Sequence, residues 1–351
     1  MNRISALTIW MIARCCCTAR LFAEDLAASP AASMEQSNQA VDRAINYLQE
    51  ESSQWLKTRK CAACHHVPMP LWALSAALQN GYKVDEKYLT DTFESVMGST
   101  DHLITSKVIH DPAAPPDTRP EGQALNMGLP FLAVAAQSRQ PREASLQQSL
   151  RLIDEEIIKK QLPDGSWEFF TSLRRPPINE NQLTDAAWIL LALQGAADKN
   201  ETQILALSRA KNWWNAAATS GIQQEKALKI LVAAGSAEPR DVTQPLIDEL
   251  FALQREDGGW SQTVPELKSD AFATGQTLYA LSQVGYGRDH PAIKRGIDFL
   301  VATQLADGSW PMTSRSKPDG SPGGAKLLSP ITCAATSWAT LALSKLVSKL
   351  P

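Results

Sequence analysis

Gln161-Leu-Pro-Asp-Gly-Ser-Trp167 recurs twice further along the chain, as Gln254-Arg-Glu-Asp-Gly-Gly-Trp260 and Gln304-Leu-Ala-Asp-Gly-Ser-Trp310. Each copy follows apolar residues at helical spacing: Leu152/Ile153/Ile157, Ile247/Leu250/Phe251 and Ile297/Leu300/Val301. The Asp-Gly pair stops that helix and turns the chain. A second helix is predicted some 15 to 25 residues later, over Thr184–Gln194, Asp270–Val284 and Thr332–Leu346. These second helices are apolar and small nearly all round, as in Trp188-Ile-Leu-Leu-Ala-Leu193 and Trp338-Ala-Thr-Leu-Ala-Leu343. A helix without a wide polar face must be enclosed by protein.

The spacing fills in the rest. Gln161 to Gln254 is 93 residues, about twice the 50 that separate Gln254 from Gln304. A degenerate pair, Ile204–Asn215 and Gln223–Ala234, belongs between them. Upstream, Gln49 to Trp55 repeats the Gln-to-Trp spacing, with Leu71–Leu78 as its second helix, and Asp85–Met97 with Gly122–Gln137 makes one further pair. The count is six helical hairpins. Six hairpins form an open solenoid or a closed ring, and the apolar second helices favour closure, with those helices inside and the amphipathic first helices outside.

The Gln-x-x-Asp-Gly-Ser/Gly-Trp boxes resemble the QW repeats of the squalene–hopene cyclase and protein prenyltransferase superfamily, over roughly residues 36–348. The resemblance implies an all-α (α/α)6 toroid. In the boxes, Asp-Gly reverses the chain and the Trp packs between hairpins, a structural role. The family's chemistry carries over only in part. Squalene–hopene cyclases start cyclisation from Asp-x-Asp-Asp at an inner helix, because protonating an alkene takes several coupled carboxyls. The matching stretch here reads Gln182-Leu-Thr-Asp185, which keeps only the last Asp, and Asp270 is likewise single. Prenyltransferase β subunits hold zinc with Asp, Cys and His. Asp270 and Cys333 occupy comparable regions, with no His near in sequence. Asp185 and Asp270 are read first as charges favourable to a helix N-terminus, and second as weak candidates for catalysis or for lining a polar site at the mouth of a funnel.

Cys61-Ala-Ala-Cys64-His65 is the sharpest chemical signal. Two thiols three residues apart lie on one helical turn, where each adds to a haem vinyl group, and the adjacent His presents its imidazole to the iron. The expected cofactor is covalent haem c. Zinc held by Cys61, Cys64 and one or both of His65 and His66 is the alternative, and a thiol pair a third reading. The motif falls in an outer-to-inner loop, at about 56–70. In a ring all such loops emerge at one end, so the next one, roughly 98–121, sits beside it. That loop carries His102 and His110, two of the five histidines, as first candidates for a sixth iron ligand, with Met97, Met69 and Met312 behind them.

Residues 1–23 read as a secretory signal: Arg3, an apolar run from Ile4 to Ala13, and Leu21-Phe22-Ala23 before Glu24. Residues 24–37, rich in Ala, Ser and Pro, read as a linker, and 38–351 as a single toroid domain. Export to a bacterial periplasm agrees with haem c, which is attached outside the cytoplasm. The 351 residues hold 34 Lys+Arg and 37 Asp+Glu, a net charge of -3, which gives no electrostatic reason to expect nucleic acid. No run of eighteen apolar residues marks a transmembrane span in the mature chain. The leading functional expectation is a haem-bearing toroid that passes electrons to a redox protein or acts on an apolar small molecule in the funnel. The alternatives are a terpenoid-cyclase-like enzyme or isoprenoid-binding protein without Asp-x-Asp-Asp, and a zinc-bearing toroidal scaffold.

Overall fold

The computed structural model describes residues 31–59, 65–98, 100, 104, 125–140, 144–168, 176–196, 199–263, 268–312, 315 and 332–350. They belong, Ala31 apart, to one compact unit, Ala32–Pro351. Residues 1–23, read above as a leader, lie outside the described residues.

Among the described residues there are twelve helices, in six hairpins. The outer members are α1 (Met34–Arg59), α3 (Glu86–Met97), α5 (Ala144–Lys159), α7 (Glu201–Ala216), α9 (Arg240–Ala252) and α11 (Pro291–Thr303). The inner members are α2 (Pro68–Gln79), α4 (Gly128–Gln137), α6 (Gln182–Gln194), α8 (Gln223–Gly235), α10 (Ala271–Gln283) and α12 (Thr332–Leu346). Local chemistry sets many of the starts. Asp85 and Asp270 accept from the backbone N–H groups of Tyr88 and Ala273, while Asn181 with Thr184 and Asn200 with Gln203 form capping boxes. Pro68 and Pro291 occupy first helical positions, where the missing N–H is not needed.

Each inner helix packs on the inner helix before and after it, and α12 packs back on α2. The structure is therefore a closed (α/α)6 toroid, as expected. The inner helices are buried almost all round; every residue of α12 from Cys333 to Ser344 is buried. α1 completes the ring by packing on both α11 and α12.

The three boxes are the joints of this ring. In each, the Gln amide donates to the carbonyl of the box Gly and to a carbonyl of the next outer helix. Gln161 reaches Ala206 of α7 at 2.9 Å, Gln254 reaches Ala292 of α11 at 2.7 Å, and Gln304 reaches Ala40 of α1 at 2.8 Å. The Gln oxygen accepts from an arginine one turn along that helix: Arg209, Arg295 and Arg43 respectively. The Trp indole N–H donates to a carbonyl of its own outer helix, Ile157, Leu250 or Leu300, at 2.6 to 2.8 Å. The box glycines Gly165, Gly258 and Gly308 have φ of +94°, +85° and +89°, and a methyl group on any of them would overlap the carbonyl oxygen of the same arginine.

Three readings of the sequence need correction. Gln49 to Trp55 is no box, because it lies inside the unbroken α1. The stretch lacks Asp-Gly, so nothing turns the chain there. That helix also begins at Met34, four residues ahead of the domain start expected at 38. α4 begins at Gly128 rather than Gly122, since Leu125 and Asn126 are non-helical and the Asn126 side chain accepts from the Gly128 N–H at 3.0 Å. The other inner helices fall within three residues of their expected bounds. No helix among the described residues is long and apolar enough to cross a membrane.

Candidate functional site

The inner helices run parallel, so their N-termini gather at one end of the ring. Asp185 lies in the first turn of α6 and Asp270 caps α10, as the sequence placed them. Asp270 uses both oxygens: one accepts from Ala273 N–H at 2.9 Å, the other from the Gln262 amide at 3.0 Å. Burial pushes its carboxyl up to about 6, against the opposing pull of these donors and of Arg315. Arg315 donates to the Gln262 oxygen at 2.7 Å and pairs with Glu180. Beside Glu180, the Asn179 amide donates to Asp185, which is only 2% exposed, at 3.3 Å. A polar chain thus spans the mouth from α10 to α6.

Glu225, in the first turn of α8, is the third carboxylate at the start of an inner helix. It accepts from the Asn181 amide at 2.6 Å, the Ser220 hydroxyl at 2.7 Å and the backbone N–H groups of Ser220 and Gly221. Sequence reasoning missed Glu225, Glu180, Gln262 and Arg315. The last three sit in loops, with Glu180 and Arg315 135 residues apart, and no spacing rule connects them.

Below the mouth the ring axis is aromatic. Trp72 of α2 lies edge-on to Trp188 of α6, Tyr279 of α10 and Trp338 of α12, with centroids 5.8, 5.4 and 5.2 Å apart. Phe131 of α4 meets Trp188 at 4.3 Å, and Phe272 of α10 meets Trp338 at 6.3 Å. Five inner helices therefore contribute rings to one cluster, and these separations are those of favourable aromatic pairs.

In the first hairpin, His66 stacks on Trp55 with centroids 3.6 Å apart and planes 10° from parallel, and its Nε2 lies 3.9 Å from Glu51. His65 is tilted against His66 at 4.3 Å. Cys61, Cys64, His102 and His110 lie outside the described residues. Met69, Met97 and Met312 are buried at 1%, 3% and 6% exposure. Cys333 is a buried free thiol in α12, and burial pushes its pKa up, which fits a core residue. Among the described residues no group of three or more His, Cys, Asp or Glu is placed to hold a metal ion.

By fold this is an α/α toroid of the kind shared by terpene cyclases and glucuronyl hydrolases. Unsaturated glucuronyl hydrolase from Streptococcus agalactiae superposes with a TM-score of 0.58 at 10% identity, over 92% of this chain and 94% of that one. The type II terpene cyclase MstE from Scytonema, solved with geranylgeranyl dihydroxybenzoate, gives 0.52 at 14% identity, over 90% of this chain and 98% of that one. In sequence, residues 268–348 match the squalene-hopene cyclase C-terminal domain. A squalene–hopene cyclase of Bradyrhizobium diazoefficiens is 32% identical over an 87-residue alignment that covers 22% of this chain and 13% of that protein. The matched domain segment holds Asp270, the Gln304 box and two inner helices.

Proposed function

We propose that this toroid binds an isoprenoid-like apolar molecule along its axis. The aromatic cluster carries the reading: six rings from five helices converge where an apolar chain would lie. The partial match to a squalene–hopene cyclase domain supports it. Binding without hydrocarbon cyclisation fits the mouth better than turnover does. Asp270, the lone carboxyl of its own helix start, is held at about 6, a weaker acid than an ordinary aspartate, and alkene protonation demands a stronger one. Squalene added to the purified protein is expected to change its tryptophan fluorescence saturably and to be recovered chemically unchanged by gas chromatography. A cyclised product would overturn the non-cyclising part, and absence of any saturable response would overturn the binding.

A second reading concerns Cys61-Ala-Ala-Cys64-His65 and is favoured by the motif itself. We infer that the two thiols hold haem c and that His65 binds its iron; the haem supplies one-electron chemistry at the mouth end, toward a redox protein partner of an exported protein. His66, packed flat on Trp55, would stay out of the iron's coordination. The donor set of two thiols and an adjacent imidazole fits covalent haem better than zinc, which needs a fourth ligand. After expression in a host that matures haem c, acid–acetone extraction should leave haem on the wild-type chain and little on Cys64→Ala. Equal haem on both would remove this reading.

A further inference from the structure

Runs of adjacent residues on two inner helices show which side chains face the ring axis. On α8, Gln223 donates to Ala273 O and Thr277 Oγ1 of α10, Glu225 accepts from Asn181 on the α6 side, and Lys226 pairs outward with Glu249 of α9. Gln224 is left pointing at the axis. On α10, Thr274 bonds outward to Trp260, Ala273 and Thr277 meet α8, and Gly275 abuts the Trp338 backbone of α12. Gln276 is left pointing at the axis, between Phe272 and Tyr279 on the same helical face.

Gln276 is 0% exposed, and neither its amide nitrogen nor its oxygen has a hydrogen-bond partner among the described residues. The same holds for the indole N–H of Trp188 and of Trp338, which are 2% and 0% exposed. Gln276 is the sixth residue of its helix, and Trp188 and Trp338 the seventh of theirs, so the three share one level of the parallel inner ring. One turn nearer the mouth, the Gln224 oxygen is also buried without a partner. Buried polar groups in native proteins are nearly always satisfied, and an unsatisfied one costs the full desolvation of the group. Three such groups at one level of an otherwise aromatic axis mark a place for a ligand atom.

Resting on the isoprenoid reading above, we propose that the ligand is an oxygenated isoprenoid whose hydroxyl or carbonyl oxygen seats among Gln276, Trp188 and Trp338. Two indoles and an amide NH2 supply donors, while the amide oxygen supplies an acceptor, so an oxygen function fits and a pure hydrocarbon leaves all of them unpaired. The aromatic rings above and below take the hydrocarbon part.

Farnesol and the hydrocarbon β-farnesene test this as a matched pair, with binding followed by tryptophan fluorescence and calorimetry. Wild type is expected to bind farnesol at least about tenfold more tightly than farnesene, a preference of one hydrogen-bonded group. Gln276→Leu, close in volume and relieved of the unpaired amide, is expected to keep farnesene binding and lose the preference. Equal affinity for both probes in wild type, or an unchanged preference in Gln276→Leu, would overturn the inference and assign these groups to water, while leaving the isoprenoid reading standing. Binding of neither probe would overturn both.

Discussion

Gly308→Ala is expected to destabilise the protein by about 3 kcal/mol or more, measured as a shift in urea midpoint at constant m. Two costs add. The left-handed φ of +89° costs an L-residue about 1–2 kcal/mol, and the new methyl overlaps the Arg43 backbone, which can yield only by parting α1 from the last box. Gly285→Ala supplies the control, since φ is +90° there with nothing within 4 Å of the added carbon, and it should show the conformational cost alone. Equal losses in the two variants would mean that the box glycine has no special closeness to the next helix.

The second large effect is on pH. Asp154 of α5 is 4% exposed, with one oxygen accepting from the Gln203 amide of α7 at 3.1 Å and the other buried without a partner. Burial pushes its carboxyl from the ordinary 3.8 up to about 7, in spite of Gln203 and the charge of Lys199, with Glu155 adding to the rise. An acid whose folded pKa lies above its unfolded value binds more protons when folded. Its neutral form is accommodated fully below about pH 4, and stability falls as pH rises toward 7. The decline amounts to about 4 kcal/mol. Asp270, raised to about 6, adds a smaller decline that ends about one unit earlier. Denaturant titrations from pH 4 to pH 8 should show wild type losing stability along this window, and Asp154→Asn losing much less. A wild-type curve that is flat over the window would refute the assignment.

The hairpin count was legible because two independent signals agreed: box spacing and second helices with no polar face. The α12 bounds, Thr332–Leu346, match expectation at both ends, because such a helix has no amphipathic ambiguity to blur it. The first hairpin misled, since Gln and Trp six residues apart imitate a box without the Asp-Gly that makes one. What closes the ring was present in the sequence and went unread. Ala40-Val-Asp-Arg43, Ala206-Leu-Ser-Arg209 and Ala292-Ile-Lys-Arg295 are copies of one receiving motif, each meeting the Gln of a box. Only two short positions repeat, which is too little to see before the boxes show where to look. At the site, Asp185 and Asp270 were legible from their place at helix starts. The Gln262–Arg315–Glu180 chain was not, because loops bring it together and loop contacts leave no period in a sequence.

The Gln304 joint also has a temporal meaning. Its partners in α1 are 264 and 261 residues earlier in the chain, and the α12–α2 seam spans the same length, whereas the other two box joints link residues 38 to 48 apart. A ribosome makes the receiving edge of α1 more than 260 residues ahead of the box that meets it. Five hairpins can stack in order of synthesis, but Ala40 and Arg43 wait with an open edge until the sixth arrives. During that interval the nascent chain is an arc with a sticky end, and a second arc presents the same Gln304 edge. A delay before the sixth hairpin would favour rings shared between two molecules over rings closed within one.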